Sequence, residues 1–345
     1  MFIYILIMKI FNNYPLLHLN TFKVNAKTDE LILLESHEDY AELLKTKDLR
    51  NTPYFVLGAG SNVLFTRDYQ GICIKNQLKN ISVIREDARY AWLSVDAGMN
   101  WHELVRKTID MNIQGLENLS LIPGTVGAAP VQNIGAYGVE IHQFIEHVDT
   151  LDLQGGEFFR FYHQECEFGY RSSVFKTKYK GRFLITSVVL RLNKKPEFNL
   201  SYEMIQETLE RLKLDQVNAR NISEAIIYIR QNKLPDPDVI GNAGSFFKNP
   251  VVDKTDYEGL KAEFPGMRSY QVDSERYKIP AAWLIESCGW KGKSYGKAGV
   301  YQNQPLVLVN LGNASGKDIL KLSEKIQEAV AKKFGILLIP EVNIL

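Results

Sequence analysis

From about Leu16 to Lys75 short apolar stretches alternate with turn residues, and Leu31-Ile32-Leu33-Leu34 and Tyr54-Phe55-Val56-Leu57 read as buried strands. Tyr40-Ala41-Glu42-Leu43-Leu44 between them reads as a short helix, so the chain is expected to open with a βαβ-like piece. Further strands are predicted at Ala91-Trp92-Leu93-Ser94-Val95 and over the apolar run from Phe183 to Leu190, with a helix from Trp101 to Met111. Lys194-Lys195-Pro196 reads as a boundary. Beyond it helices are predicted at Glu203 to Leu212 and Ser223 to Asn232, followed by a loop, Lys233-Leu234-Pro235-Asp236-Pro237, whose prolines forbid helix continuation. The last helix is the clearest, because Ile319, Leu322, Ile326, Ala329 and Val330 recur at helical spacing, with Ser315 placed to cap its start and Gly335 just past its end.

Two segments break this periodicity. Gly58-Ala59-Gly60-Ser61-Asn62 follows a strand directly, and Val63-Leu64-Phe65 then resumes an extended pattern. A dinucleotide fingerprint of the Rossmann kind needs a third glycine and a following helix, and neither is present. The turn reads either as an ordinary glycine turn or as a phosphate cradle of crowded backbone N–H groups. The second segment runs from Leu121 to Gly138, and nine of its residues are Gly, Ala or Pro. Such a run cannot build a core of its own, but it lets the backbone approach a flat or anionic ligand. Together the two tracts suggest one diphosphate cofactor lying across both.

Composition narrows the function classes. The 345 residues are 45% apolar and 23% charged, enough for two or three cores, and 41 basic against 40 acidic residues leave no excess charge for a phosphate backbone or an anionic membrane. Nucleic acid is therefore not an expected partner. Cys73, Cys166 and Cys288 are far apart and form neither a CxxC pair nor a zinc spacing, so buried structural thiols in a reducing cytoplasm are expected, with no metal. The apolar run Phe2 to Met8 is too short to span a bilayer and lacks the flanks of a signal peptide. Met8, followed by Lys9, is an alternative start.

Three segments offer candidate chemistry. Phe168-Gly169-Tyr170-Arg171-Ser172-Ser173 sets an arginine among aromatics, which suits a surface arginine packing its stem on rings as well as an arginine whose dry walls strengthen its pull on a developing anion. Gly241-Asn242-Ala243-Gly244-Ser245-Phe246-Phe247-Lys248-Asn249-Pro250 holds a serine without the spacing of a nucleophile elbow. The six histidines form no pair, so a Ser-His-Asp hydrolase is not supported. Pro340-Glu341-Val342 passes for an ordinary strand end with a solvated glutamate.

These segments, with Asn20-Thr21-Phe22, Gly58 to Leu64, Ile122-Pro123-Gly124 and Gln132 to Gly138, resemble in order and over nearly the whole chain the UDP-N-acetylenolpyruvoylglucosamine reductase family. The resemblance implies an α+β fold. A two-part FAD-binding domain of the vanillyl-alcohol-oxidase type would span residues 15–195, in subdomains of about 15–78 and 79–195. A smaller substrate-binding domain over 196–345 would follow, its last strand carrying Glu341 back to the active site.

The resemblance further implies a cytoplasmic, NADPH-dependent flavoenzyme that reduces the enolpyruvyl group of a UDP-sugar in peptidoglycan precursor synthesis. FAD would be held non-covalently, and neither tract offers a histidine or cysteine for attachment. The family's catalytic residues match Arg171, Ser245 and Glu341, with Ser245 as proton donor. Cofactor contacts fall on Gly58, Ala59, Gly60, Ser61, Asn62, Gly124, Gly127, Ala128, Ala129, Pro130, Asn133 and Ala136. Substrate contacts fall on Tyr170, Lys233, Asn249, Tyr270, Lys278 and Gln304, and Tyr202 corresponds to the tyrosine of a loop that closes over substrate. Ala128-Ala129 stands where serines are frequent and Asn343 where an arginine often follows the glutamate, which bears on hydrogen bonding to the flavin. The expected partners are a UDP-sugar and NADPH, with no nucleic acid, no membrane insertion and a monomeric chain. A FAD-dependent sugar-alcohol oxidase of the same fold, or a flavin-binding protein without chemistry, are the alternative readings.

Overall fold

The structure is a computed structural model that describes residues 8–345. All of the opening apolar run before Met8 lies outside the described residues. The chain forms two compact units, one built from the chain up to Tyr14, Thr28–Ala59 and Gln70–Arg230, the other from Pro15–Lys27, Gly60–Tyr69 and Gln231–Leu345. Both mix helix and strand, so the α+β class is borne out.

In the first unit the strands Phe158–Tyr162, Ile145–Asp152, Phe183–Asn193, Tyr90–Asp96 and Ile81–Glu86 form, in that order, an antiparallel sheet. Phe183–Asn193 is its central strand, with Val188 opposite Val148 on one side and Val95 on the other. Its residues Leu184, Ile185, Val188, Val189 and Leu190 are all buried, which is why its apolar run is nearly continuous and not alternating. The helix Trp101–Asp110 begins where the Asn100 side chain accepts the Glu103 N–H at 3.0 Å, a cap worth about 1 kcal/mol. It buries Trp101, Leu104 and Val105 in the same core.

A second sheet of this unit orders Lys9–Pro15, Lys27–Leu34, Tyr69–Asn76 and Tyr54–Val56. The helix Glu38–Thr46 lies between two of its strands in sequence, as expected, but Tyr54–Val56 pairs in parallel with Tyr69–Asn76, which separates it from Lys27–Leu34. Helices Glu203–Arg211 and Ala219–Lys233 pack through Ile205, Leu209, Ile222, Ala225, Ile226 and Ile229. The second starts four residues before the predicted Ser223, because Asn218 accepts the Asn221 N–H at 2.9 Å and so caps a first turn that carries no apolar pattern.

The second unit holds an antiparallel sheet ordered Gly241–Ser245, Val307–Asn310, Ala298–Val300 and Ser294–Tyr295, and the helix Gly316–Phe334. Ser315 caps its start and Gly335 lies just past its end, both as predicted; Asp318 makes the cap reciprocal, and Gly335 has φ +69°. Its face Ile319, Leu322, Ile326 and Val330 shares a core with Phe22, Val24 and Leu64 from early in the chain. Two shorter helices, Lys254–Glu263 and Ala281–Ser287, were not anticipated by the apolar pattern, and neither was the three-stranded sheet of Val251–Asp253, Arg276–Lys278 and Tyr270–Gln271. Asn343–Ile344 pairs in parallel with Val63–Leu64. Among the described residues no helix is long and apolar enough to cross a membrane.

Candidate active site

In the first unit Gly58, which opens the glycine turn, lies against the small-residue tract. A Cβ on Gly58 would stand 3.0 Å from Thr125 Oγ1 and 3.3 Å from Ala128 Cβ, so the absence of a side chain is what allows the approach. On its inner side the tract is pinned by backbone bonds: Gly124 O accepts from Trp101 N, while Val126 N and Gly127 N donate to Met99 O and Ala97 O. Gly127 packs so close to Ala97 that a Cβ would come within 2.6 Å of the alanine methyl. Gly124, Thr125, Gly127, Ala128 and Ala136 remain partly accessible, whereas Ala129, Pro130 and Asn133 are buried.

A ledge of small, partly accessible residues, pinned by backbone bonds and set against Gly58, fits the flat ring and the diphosphate of FAD. Beneath the turn, Lys75 Nζ donates to Gly58 O at 2.6 Å, and burial lowers the pKa of this amine. Sequence reading missed Lys75, although a lone cation after Ile72-Cys73-Ile74 in a buried strand was a visible signal. Burial pushes the Cys73 and Cys166 thiols up to about 12, so both are inert structural cysteines, while Cys288 is half-buried.

Arg171 sits in a two-residue turn closed by reciprocal bonds between Gly169 and Ser172, each 3.1 Å. Its φ of +53° puts a non-glycine residue in the left-handed region, a strain that persists only where the surroundings hold it. The guanidinium reaches back to the tract, with Nη2 donating to Gly135 O at 2.7 Å and Nη1 to Asn133 O at 3.4 Å, and it lies 5.5 Å from the Tyr170 ring centroid. Tyr202, just ahead of Glu203–Arg211, packs edge-on against Tyr137 of the tract with ring centroids 5.6 Å apart. Asn118 donates to both Tyr137 O and Asn199 O, and Asn199 to Gly138 O, so the segment carrying Tyr202 is stitched to the tract.

In the second unit Ser245 ends the strand Gly241–Ser245, opposite Val307. The register shifts between Asn242 and Ser245, where Gly244 has φ +66°, and such an irregularity re-aims the side chain that follows it. Phe246 then donates to Leu306 O and accepts from Glu341 N, each at 2.8 Å, so Ser245 and Glu341 lie on neighbouring segments. Gln304 belongs to the same turn, its backbone carbonyl accepting from Val307 N at 2.9 Å. Asn62 Nδ2 donates to Glu341 O at 3.4 Å, and Asn343 returns both its backbone N–H and its side-chain amide to Asn62 O at 3.0 Å. Asn343 therefore braces the second half of the glycine turn.

The other substrate candidates of this unit are Lys233 at the end of a helix, Asn249, whose Oδ1 accepts from Ala281 N at 2.9 Å, and the strand partners Tyr270 and Lys278. Among the described residues no group of His, Cys, Asp and Glu is placed to hold a metal ion.

The FAD binding domain model matches residues 28–162, which makes the chain a FAD-binding flavoprotein and accords with the ledge and turn just described. The model of the UDP-N-acetylenolpyruvoylglucosamine reductase C-terminal domain matches residues 236–345. The UDP-N-acetylenolpyruvoylglucosamine reductase of Amoebophilus asiaticus is 46% identical over 333 residues, covering 96% of this chain and 98% of that protein. The enzyme of the same name from Flavobacterium johnsoniae is 44% identical over 339 residues, covering 98% and 100%. The chain belongs to the UDP-N-acetylenolpyruvoylglucosamine reductase family. The crystal structure of the Thermus caldophilus reductase superimposes with a TM-score of 0.66 at 26% identity, over 98% of this chain and 99% of that one.

Proposed function

We propose that this chain uses NADPH to reduce the enol-ether double bond of UDP-N-acetyl-3-O-(1-carboxyvinyl)glucosamine, giving UDP-N-acetylmuramate for peptidoglycan in the cytoplasm. FAD, when bound, would supply hydride chemistry between NADPH and the enolpyruvyl group. The chain's own residues do the rest. Gly58 to Asn62 and the ledge from Gly124 to Ala136 hold the cofactor, with Lys75 as a cation under the turn. Tyr170, Asn249, Tyr270 and Gln304 orient the substrate, and Lys233 and Lys278 offer countercharge to its diphosphate. Tyr202 closes over it. Residues 15–195 carry the cofactor contacts together with Tyr170 and Arg171, and 196–345 the remaining substrate contacts, in a monomer.

Hydride arrival leaves negative charge spread into the substrate carboxylate. Arg171 stabilises that enolate by charge, Glu341 by a donated proton or hydrogen bond, and Ser245 gives a proton to the adjacent carbon. The observation that carries this reading is the bond from Glu341 N–H to Phe246 O at 2.8 Å, which sets the glutamate beside the residue that follows Ser245. Its test is NADPH consumption by the purified protein with the enolpyruvyl sugar nucleotide, with the lactyl ether identified by mass. NADPH oxidation indifferent to the sugar nucleotide would overturn the proposal.

A further inference from the structure

Arg171 is held by a ring of contacts that runs through a carboxylate outside the three catalytic candidates. Glu140 Oε2 accepts a hydrogen bond from Asn133 Nδ2 at 2.9 Å. The same Nδ2 donates to Gly169 O at 3.0 Å, and Asn133 Oδ1 accepts from His142 N at 3.1 Å. Gly169 is the residue whose bonds to Ser172 close the turn around Arg171. From that turn the guanidinium returns to Gly135 O, and Gly135 pairs with Glu140 across a short hairpin. A Cβ on Gly135 would lie 2.8 Å from Glu140 Cγ and 3.0 Å from Arg171 Nη1, so both side chains crowd over this one glycine.

We infer that Glu140 is a positioning residue for Arg171, acting through the buried Asn133 amide to hold the Gly169–Ser172 turn in the conformation that sets the guanidinium on the tract. The inference rests on the enolate-stabilising role proposed for Arg171. Asn133 is wholly buried, so its amide has no water to turn to when its acceptor is removed. The turn it steadies carries left-handed strain at Arg171, and loss of the brace lets that strain relax. A guanidinium displaced by about 1 Å costs up to about 100-fold in rate.

The test is Glu140→Ala, Glu140→Gln and Gly135→Ala in the FAD-loaded protein, each followed by crystallography and by anaerobic stopped flow of the two half-reactions. Glu140→Ala should move the guanidinium off Gly135 O and slow flavin reoxidation by the enolpyruvyl sugar about 10- to 100-fold, with a smaller effect on reduction by NADPH. Glu140→Gln keeps an oxygen acceptor for Asn133 and should recover most of the rate. Gly135→Ala fills the space under the guanidinium and should act like Glu140→Ala, which keeps the test alive if the latter does not fold. An Arg171 unmoved in Glu140→Ala, or a Glu140→Gln as slow as Glu140→Ala, would overturn the inference. A displaced guanidinium with an unchanged rate would instead overturn the role given to Arg171, and the inference with it.

Discussion

Replacing Ser245 by alanine separates a proton donor from a mere binding contact, because the two roles differ in magnitude. The strand ends at Ser245 opposite Val307, and Phe246 beyond it is fixed on both sides by backbone bonds to Leu306 and Glu341. Alanine leaves all of these in place, so Ser245→Ala should fold, bind FAD and be reduced by NADPH at a near-normal rate. A hydroxyl that only hydrogen-bonds substrate contributes about 1 kcal/mol, roughly a factor of 5. A lost general acid costs about 100- to 10,000-fold, or roughly 2.7 to 5.4 kcal/mol of barrier. Anaerobic stopped flow reads the difference directly, by following flavin absorbance as reduced protein meets the enolpyruvyl sugar nucleotide. The expected drop is at least about 100-fold. Cysteine at 245 should restore part of it, a thiol being more acidic than a hydroxyl. Reoxidation within about 10-fold of the parent would refute the reasoning and pass the donor role to Glu341 or a water.

Two further outcomes are expected elsewhere. Tyr202→Phe should weaken substrate binding more than it slows flavin reduction, since Tyr202 lies on Tyr137 and is proposed to close over substrate; equal damage in both half-reactions would make it structural. In the five-stranded sheet burial works to raise the Asp149 pKa, but the His147 imidazole 3.7 Å away and the hydrogen bonds donated by Arg160 outweigh it and hold the carboxyl at about 2. A depressed carboxyl stabilises the fold above its ordinary value of 3.8 and loses that contribution as the pH falls toward 2. Asp149→Asn should therefore lower Tm at pH 7, by the equivalent of about 1 kcal/mol because Arg160 is half-exposed, and the gap should close below pH 4. A gap that persists at pH 2 would contradict this.

The apolar pattern revealed elements whose own sequence decides them. Gly316–Phe334 is bracketed by Ser315 and Gly335, and Phe183–Asn193 is buried nearly throughout. Lys254–Glu263 stayed hidden because it buries no residue, and Ala281–Ser287 because seven residues are too few for a period to show. Nor does any local pattern tell that Phe22, Val24 and Leu64 join the core of a unit built mostly from residues past 231. The ledge was legible from composition, since small residues in a long run have few other uses. The docking of Arg171 on Gly135 O was not, because it depends on a non-glycine residue in a left-handed turn and on the fold that brings Asn133 and Glu140 to it. Asn343 was noted only as a departure, whereas its amide braces Asn62.

The proposed reaction passes hydride from this chain's reduced flavin to an enolpyruvyl sugar nucleotide. Its most direct test is a single turnover without oxygen, in which protein reduced by one equivalent of NADPH is mixed with UDP-N-acetyl-3-O-(1-carboxyvinyl)glucosamine. Flavin absorbance should return with one equivalent of UDP-N-acetylmuramate formed. A flavin that stays reduced until air is admitted would contradict the account and favour an oxidase.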